Sequence, residues 1–287
     1  MIGGSPDAAS LLDMPGGSNL HGHLHLVAGV DAHARTQLVQ QSFRAPFHLS
    51  KPYWDGHTLH VQVVNPTAGI LEGDRLDLDI TVEAGAALLV STPAAARAFM
   101  MRGGQAGCRQ RFTTRSGAWT EYLPEPLFPH RDAAYEQHTI LDVEPGGELA
   151  YWDALAPGRV GRGERWAWRW LRIALDVRYA GEPILRECLD GDGAALAAAA
   201  AFHGTPDAFF GTLVLITDRL RADDPVWEAV RAMHGDGRWV GASRLRRGGW
   251  AVRIVAANGQ GLRDTITELR QCLAAVLPHL GSDLRRV

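Results

Sequence analysis

Five carboxylates sit beside residues that bend the chain or stop a strand. Asp74 follows Gly73, Glu121 and Glu125 flank Leu123-Pro124, Asp153 follows Trp152, and Glu164 follows Gly163. A sharp corner can aim such a side chain inward, and an inward carboxylate needs a cation, a donor or a raised pKa to be tolerated. A set of them could line a path for a hard or borderline cation. Each could equally accept backbone N–H groups at its own corner. Glu121 or Glu125 with Glu164 could also form the acid pair of a glycosidase, although no spacing selects that pair. Arg159 and Arg165 flank Glu164 closely enough to pair with it. His21, His23 and His25 alternate and would share one strand face, where three imidazoles could take nickel or zinc. The plainer reading is the polar outer face of a first strand.

Other chemical templates are missing. There is no H-E-x-x-H, no G-x-S-x-G and no G-x-G-x-x-G that opens a helix after a strand. Lys51 is the only lysine, so no Walker loop can be written. Cys108, Cys188 and Cys272 are far apart and odd in number, which suggests reduced thiols rather than a disulfide framework or a C-x-x-C zinc site. A net charge of −3 argues against a nucleic-acid footprint. No apolar run approaches the roughly 18 residues of a membrane span.

The elements that must position these residues read as short strands. Leu76, Leu78, Ile80 and Val82 alternate with Arg75, Asp77, Asp79 and Thr81, the period of a half-buried strand. Ala84-Gly85 reverses it, and Leu88 to Val90 read as a more buried strand stopped by Pro93. Further strands are expected at 35–42, 59–64, 108–113, 119–123, 134–143 and 148–154. Within 134–143, Tyr135, Gln137, Thr139, Leu141 and Val143 share one face. Trp166, Trp168 and Trp170 alternate at the start of a strand running to Tyr179, and by parity all three indoles lie on one face. Phe209 to Thr217 and a hairpin of 238–245 with 249–256 complete the strands. No fixed-period repeat is visible. Asp224-Pro225 opens one helix, and Leu262 to Leu277 carries Ile266, Leu269, Leu273, Val276 and Leu277 at helical spacing before Pro278. A third helix over 194–202 rests on propensity alone. Residues 1–20, rich in Gly, Ser and Pro, are expected to be a disordered leader, and residues 21–287 a single domain.

The segment NPTAGILEGDRLDLDITVEAGAALLVSTPAAARAF (65–99) resembles the hallmark of urease accessory proteins of the UreD (UreH) family. So do Glu121-Tyr-Leu-Pro-Glu125-Pro-Leu-Phe-Pro129 and Tyr151-Trp-Asp-Ala-Leu-Ala-Pro-Gly-Arg159 with Gly163-Glu164-Arg165. The three blocks occur in the family's order, and the resemblance covers about residues 35 to 190. Thr67-Ala68-Gly69 replaces the family's usual double glycine, and Arg97 its usual lysine. The resemblance implies a mainly β fold of stacked sheets, β-helix-like, with about two helices toward the C-terminus. The lack of a membrane-span or signal-peptide pattern gives the expectation of a cytoplasmic protein, and the resemblance implies a maturation factor without turnover of its own. Such a protein binds apo-urease and a UreF-type protein that recruits a UreG-type GTPase, and helps nickel enter urease. It further implies no tightly bound cofactor, transient Ni2+ only, and by motif match a nickel passage at Asp74, Glu125 and Glu164. The readings that compete with it are a β-rich hydrolase or carbohydrate-active enzyme with paired carboxylates, and a plain binding module.

Overall fold

A computed structural model of the chain describes residues 19–235 and 237–284. The leader expected at 1–20 therefore lies almost wholly outside the described residues. The fold is mainly β, a solenoid of about four turns. The chain enters as an antiparallel pair, β1 (His21–Val30) and β2 (Thr36–Arg44), and passes through β3 (His48–Leu49) and β4 (Tyr53–Asp55) into β5 (Thr58–Val64). It then coils. One turn comprises β6 (Arg75–Val82), β7 (Ala87–Ser91) and β8 (Ala96–Ala98), and the next β9 (Ala106–Thr114), β10 (Trp119–Leu123) and β11 (Leu127–Pro129). A third has β12 (Ala134–Val143), β13 (Glu148–Leu155) and β14 (Gly158–Arg159), which pairs with β15 (Glu164–Arg165). The last begins with β16 (Trp170–Tyr179), against which β17 (Glu182–Gly191) folds back. Helix α1 (Ala194–Phe202), β18 (Phe209–Ile216), α2 (Val226–Ala232), β19 (Arg238–Arg244), β20 (Gly249–Ala256) and α3 (Gly259–Ala274) follow.

Successive turns stack into two facing sheets. One has the order β17-β16-β12-β9-β6-β1-β2, parallel from β16 to β1 and antiparallel at both ends. The other runs β19-β20-β18-β13-β10-β7-β5-β3, parallel from β13 to β5 and antiparallel beyond, at β18 and at β3. The corners between the sheets demand glycine. Gly85, Gly117 and Gly146 have φ of +78°, +71° and +78° at equivalent reversals of consecutive turns, a conformation that costs an L side chain energy.

Period-two alternation builds the core between the sheets. Leu24, Leu26, Ile80, Phe112, Leu141 and Val177 face Leu88, Val90, Leu149, Tyr151 and Val214. A second core lies on the outer side of the longer sheet, where Trp119, Trp152, Leu213 and Val252 meet Trp227 of α2 and Leu262, Leu269 and Leu273 of α3. Asn258 caps α3 by accepting the Gly261 N–H at 2.9 Å. No described helix is long and apolar enough to cross a membrane.

The tryptophan run departs from its alternation. Trp166 has φ +52° and β16 starts only at Trp170, so Trp166 and Trp168 lie outside the strand, although all three indoles belong to or pack against the inter-sheet core. Trp168 is buried in the inter-sheet core, while the Trp170 N–H donates to Asp190 at 2.9 Å. Residues 166–169 are not strand, so the period-two parity on which the expectation rested does not extend to Trp166 and Trp168.

Candidate functional site

Polar side chains point inward along one line of the solenoid, and strand register places them there. On the seven-stranded sheet, Gln110, Thr139, Leu175 and Glu187 occupy successive partners in one row. On the facing sheet, Asp153, Thr212 and Arg253 form another. Rows closer to the glycine corners are apolar, as Ile80, Phe112, Leu141 and Val177 illustrate.

The line opens into a hollow of about 180 Å3 whose walls include Cys108, Gln110, Tyr122, Tyr135, Gln137 and Tyr151. Its polar groups hydrogen-bond to one another. The Thr139 hydroxyl donates to Gln110 Oε1 at 3.1 Å and lies 3.2 Å from the Tyr151 hydroxyl. The Tyr135 hydroxyl donates to Gln137 Oε1 at 3.3 Å, and Gln137 Nε2 donates to Asp153 Oδ2 at 3.4 Å. Burial pushes the Cys108 thiol up to about 12 and the Tyr135 and Tyr151 phenols well above their usual value, so these groups are neutral donors and acceptors at pH 7.

Asp153 is the carboxylate of this hydrogen-bonded group. Burial raises its carboxyl to about 6, opposed by the Ala154 N–H, which donates to Oδ1 at 2.9 Å. Asp153 also lines a second hollow of about 390 Å3, toward the last turn, with Ile173, Leu175, Glu187, Thr212 and Arg253. A carboxylate thus stands where the two hollows meet. Neutral oxygens and amides around the Asp153 carboxylate form a weak site, able to pass a borderline divalent ion from donor to donor without enclosing it.

Glu125 lines the first hollow at its rim, beside Thr92 and Pro93. Its N–H donates to Thr92 Oγ1 at 2.8 Å, and its carboxylate receives Arg263 of α3 at 2.8 Å. Asp74 and Glu164 are not part of that lining. Asp74, 3% exposed, accepts the N–H groups of Leu71 at 2.8 Å and Leu20 at 3.3 Å and fastens the corner before β6. Glu164 takes Arg159 on both oxygens at 2.8 and 2.6 Å and the Arg131 N–H at 3.2 Å. The Arg159 hydrogen bonds hold its carboxyl below the usual range.

Glu121 faces the other way. Fully buried under α3, it receives Arg270 Nε at 2.8 Å and Nη2 at 3.0 Å, and the Trp152 N–H at 3.2 Å. It lines neither of the two hollows, and its carboxylate is taken up by Arg270 and Trp152, so among the described residues no glycosidase pair is assembled with Glu125 or Glu164. The first strand carries His21, His23 and His25 on its outer face, where His23 Nε2 lies 2.9 Å from Ser42 Oγ. Among the described residues, no group of three or more His, Cys, Asp or Glu is gathered to hold a metal ion.

Comparison with known proteins identifies the family of the chain. The family model described as "UreD urease accessory protein" matches residues 20–287. The chain is 47% identical over 268 residues to a urease accessory protein UreD of Opitutus terrae, covering 93% of this chain and 98% of that one. It is 32% identical over 254 residues to the UreD of Deinococcus radiodurans, covering 87% and 88% of the two chains. With the Herpetosiphon aurantiacus UreD it shares 28% identity over 265 residues, covering 91% and 90%. The chain belongs to the UreD family of urease accessory proteins, and urease maturation is the process that this membership assigns to it.

Proposed function

We propose that the protein binds apo-urease and helps nickel enter the urease active site, as a cytoplasmic member of a complex with UreF-type and UreG-type proteins. It does so as a chaperone, without catalysis and with no tightly bound cofactor. The observation that supports this most is the axial line of inward polar groups joining two hollows through Asp153. An inter-sheet core gains nothing in stability from a desolvated carboxylate whose partners are one backbone N–H and an amide at 3.4 Å, whereas a transient dication would neutralise it. In this reading Glu125 receives the ion at the near mouth and Asp153 relays it at the waist. Asp74 and Glu164, brought to the passage by resemblance, serve it by fixing the turns that carry its wall.

Nickel content and activity of urease matured with Asp153→Asn, Glu125→Gln, Asp74→Ala or Glu164→Ala test the assignment. Asp153→Asn and Glu125→Gln are expected to slow nickel loading while the complex still forms in a pull-down. Full-rate activation with both variants would remove the passage.

A further inference from the structure

The far end of the axial line carries an ion pair that the passage reading does not use. Glu187 stands on β17, at one edge of the seven-stranded sheet, and Arg253 on β20 of the facing sheet. Register fixes both. Glu187 continues the row of Gln110, Thr139 and Leu175, and Arg253 continues the row of Asp153 and Thr212. Arg253 Nη2 donates to Glu187 Oε1, so the pair bridges the two sheets across the second hollow.

Arg253 is only half seated. Its Nη1 is buried without an acceptor, while the side chain as a whole is 40% exposed. A guanidinium with an unanswered buried donor is held less firmly than one with all its hydrogen bonds made. Its exposure gives it room to turn outward. Its guanidinium also repels any cation that reaches Asp153.

We infer that Glu187 is the last binding station for a divalent transition ion on this line, and that Arg253 is a tethered cation that locks it when no metal is present. An arriving dication takes the Glu187 carboxylate from the guanidinium, because two charges compete against one for the same oxygens. Arg253 then swings toward solvent. No bond is made or broken covalently, and the lock resets when the ion leaves. The inference rests on the passage reading, and its test separates the two.

The experiment is activation of apo-urease by the assembled accessory complex over a nickel titration, read as the nickel concentration for half-maximal activation. Arg253→Gln removes the lock and keeps the station, so that concentration should fall about 3- to 10-fold. Glu187→Gln removes the station and leaves the cation in place, so it should rise by a similar factor. A pair that only joins the sheets would shift both variants the same way, and that result overturns the lock. If Asp153→Asn leaves the titration unchanged, the passage itself fails. If Asp153→Asn shifts it and Arg253→Gln does not lower it, the lock alone fails. Should Arg253→Gln not assemble, Arg253→Lys decides: the shorter, single-point cation pairs less firmly with Glu187, so a lowered requirement supports the lock, and an unchanged or raised one overturns it.

Discussion

Replacing Arg270 by methionine should damage the fold far from the passage. Arg270 is 5% exposed and Glu121 fully buried, and the pair joins α3 to the middle of the longer sheet. Methionine fills most of the space but leaves the Glu121 carboxylate with the Trp152 N–H as its remaining described hydrogen bond. Removing one partner of a buried ion pair costs about 3–5 kcal/mol, because the charge left behind is no longer neutralised. For a chain of this size that corresponds to a fall of roughly 6–10 °C in Tm. The compensating variant is Arg270→Met with Glu121→Gln, which removes both charges and keeps an oxygen for Trp152. It should recover at least half of the loss, giving a coupling of about 2 kcal/mol or more. Urea unfolding followed by tryptophan fluorescence is well placed to measure this, because Trp119, Trp152, Trp227 and Trp250 all lie in the core beneath the helices. A cost below about 1 kcal/mol for the single variant would refute the reasoning. So would a double variant no more stable than Arg270→Met.

Two further outcomes follow from ionisation and burial. Asp153 has a folded pKa of about 6 against 3.8 unfolded, so between those values the folded chain binds the extra proton and stability falls as pH rises. Asp153→Asn should therefore unfold at higher urea than the parent at pH 7, by about 1–2 kcal/mol, with the difference closing near pH 4. Thiol labelling of the native chain should proceed at exposed Cys188, more slowly at half-buried Cys272, and at Cys108 only on unfolding, as mass spectrometry of quenched samples can show.

Strand parity made much of the site legible. Tyr135, Gln137 and Thr139 do share the inward face that their alternation with half-buried neighbours implies, and Tyr135 and Gln137 line the first hollow. The same parity, with Leu149 and Tyr151, puts Asp153 inside; reading it as a corner carboxylate concealed a charge in mid-strand. Glu187 and Arg253 were harder to find, because each joins the line only through partners far away in the chain. The solenoid was masked for a related reason. Leu76, Cys108, Gln137 and Ile173 stack at one position, but the loops between them differ in length, so no fixed period survives in the sequence. The very short strands β8, β11 and β14 fell below any pattern. Conversely, the hairpin of β19 and β20 and the apolar stripe of α3 are local features, and local spacing placed them to within a residue or a turn.

The latch between the late residues and the early strands has a bearing on how the chain is made. His279 Nδ1 lies 2.9 Å from Thr58 Oγ1, and the Asp283 N–H donates to Asp55 at 2.7 Å. During ribosomal synthesis the coil can therefore wind up while one flank of it, rich in indoles, still has no roof. That flank stays sticky until the final helix emerges from the exit tunnel and folds back across it. Nascent chains stalled before residue 259 should be the form most prone to aggregate and most in need of a holdase.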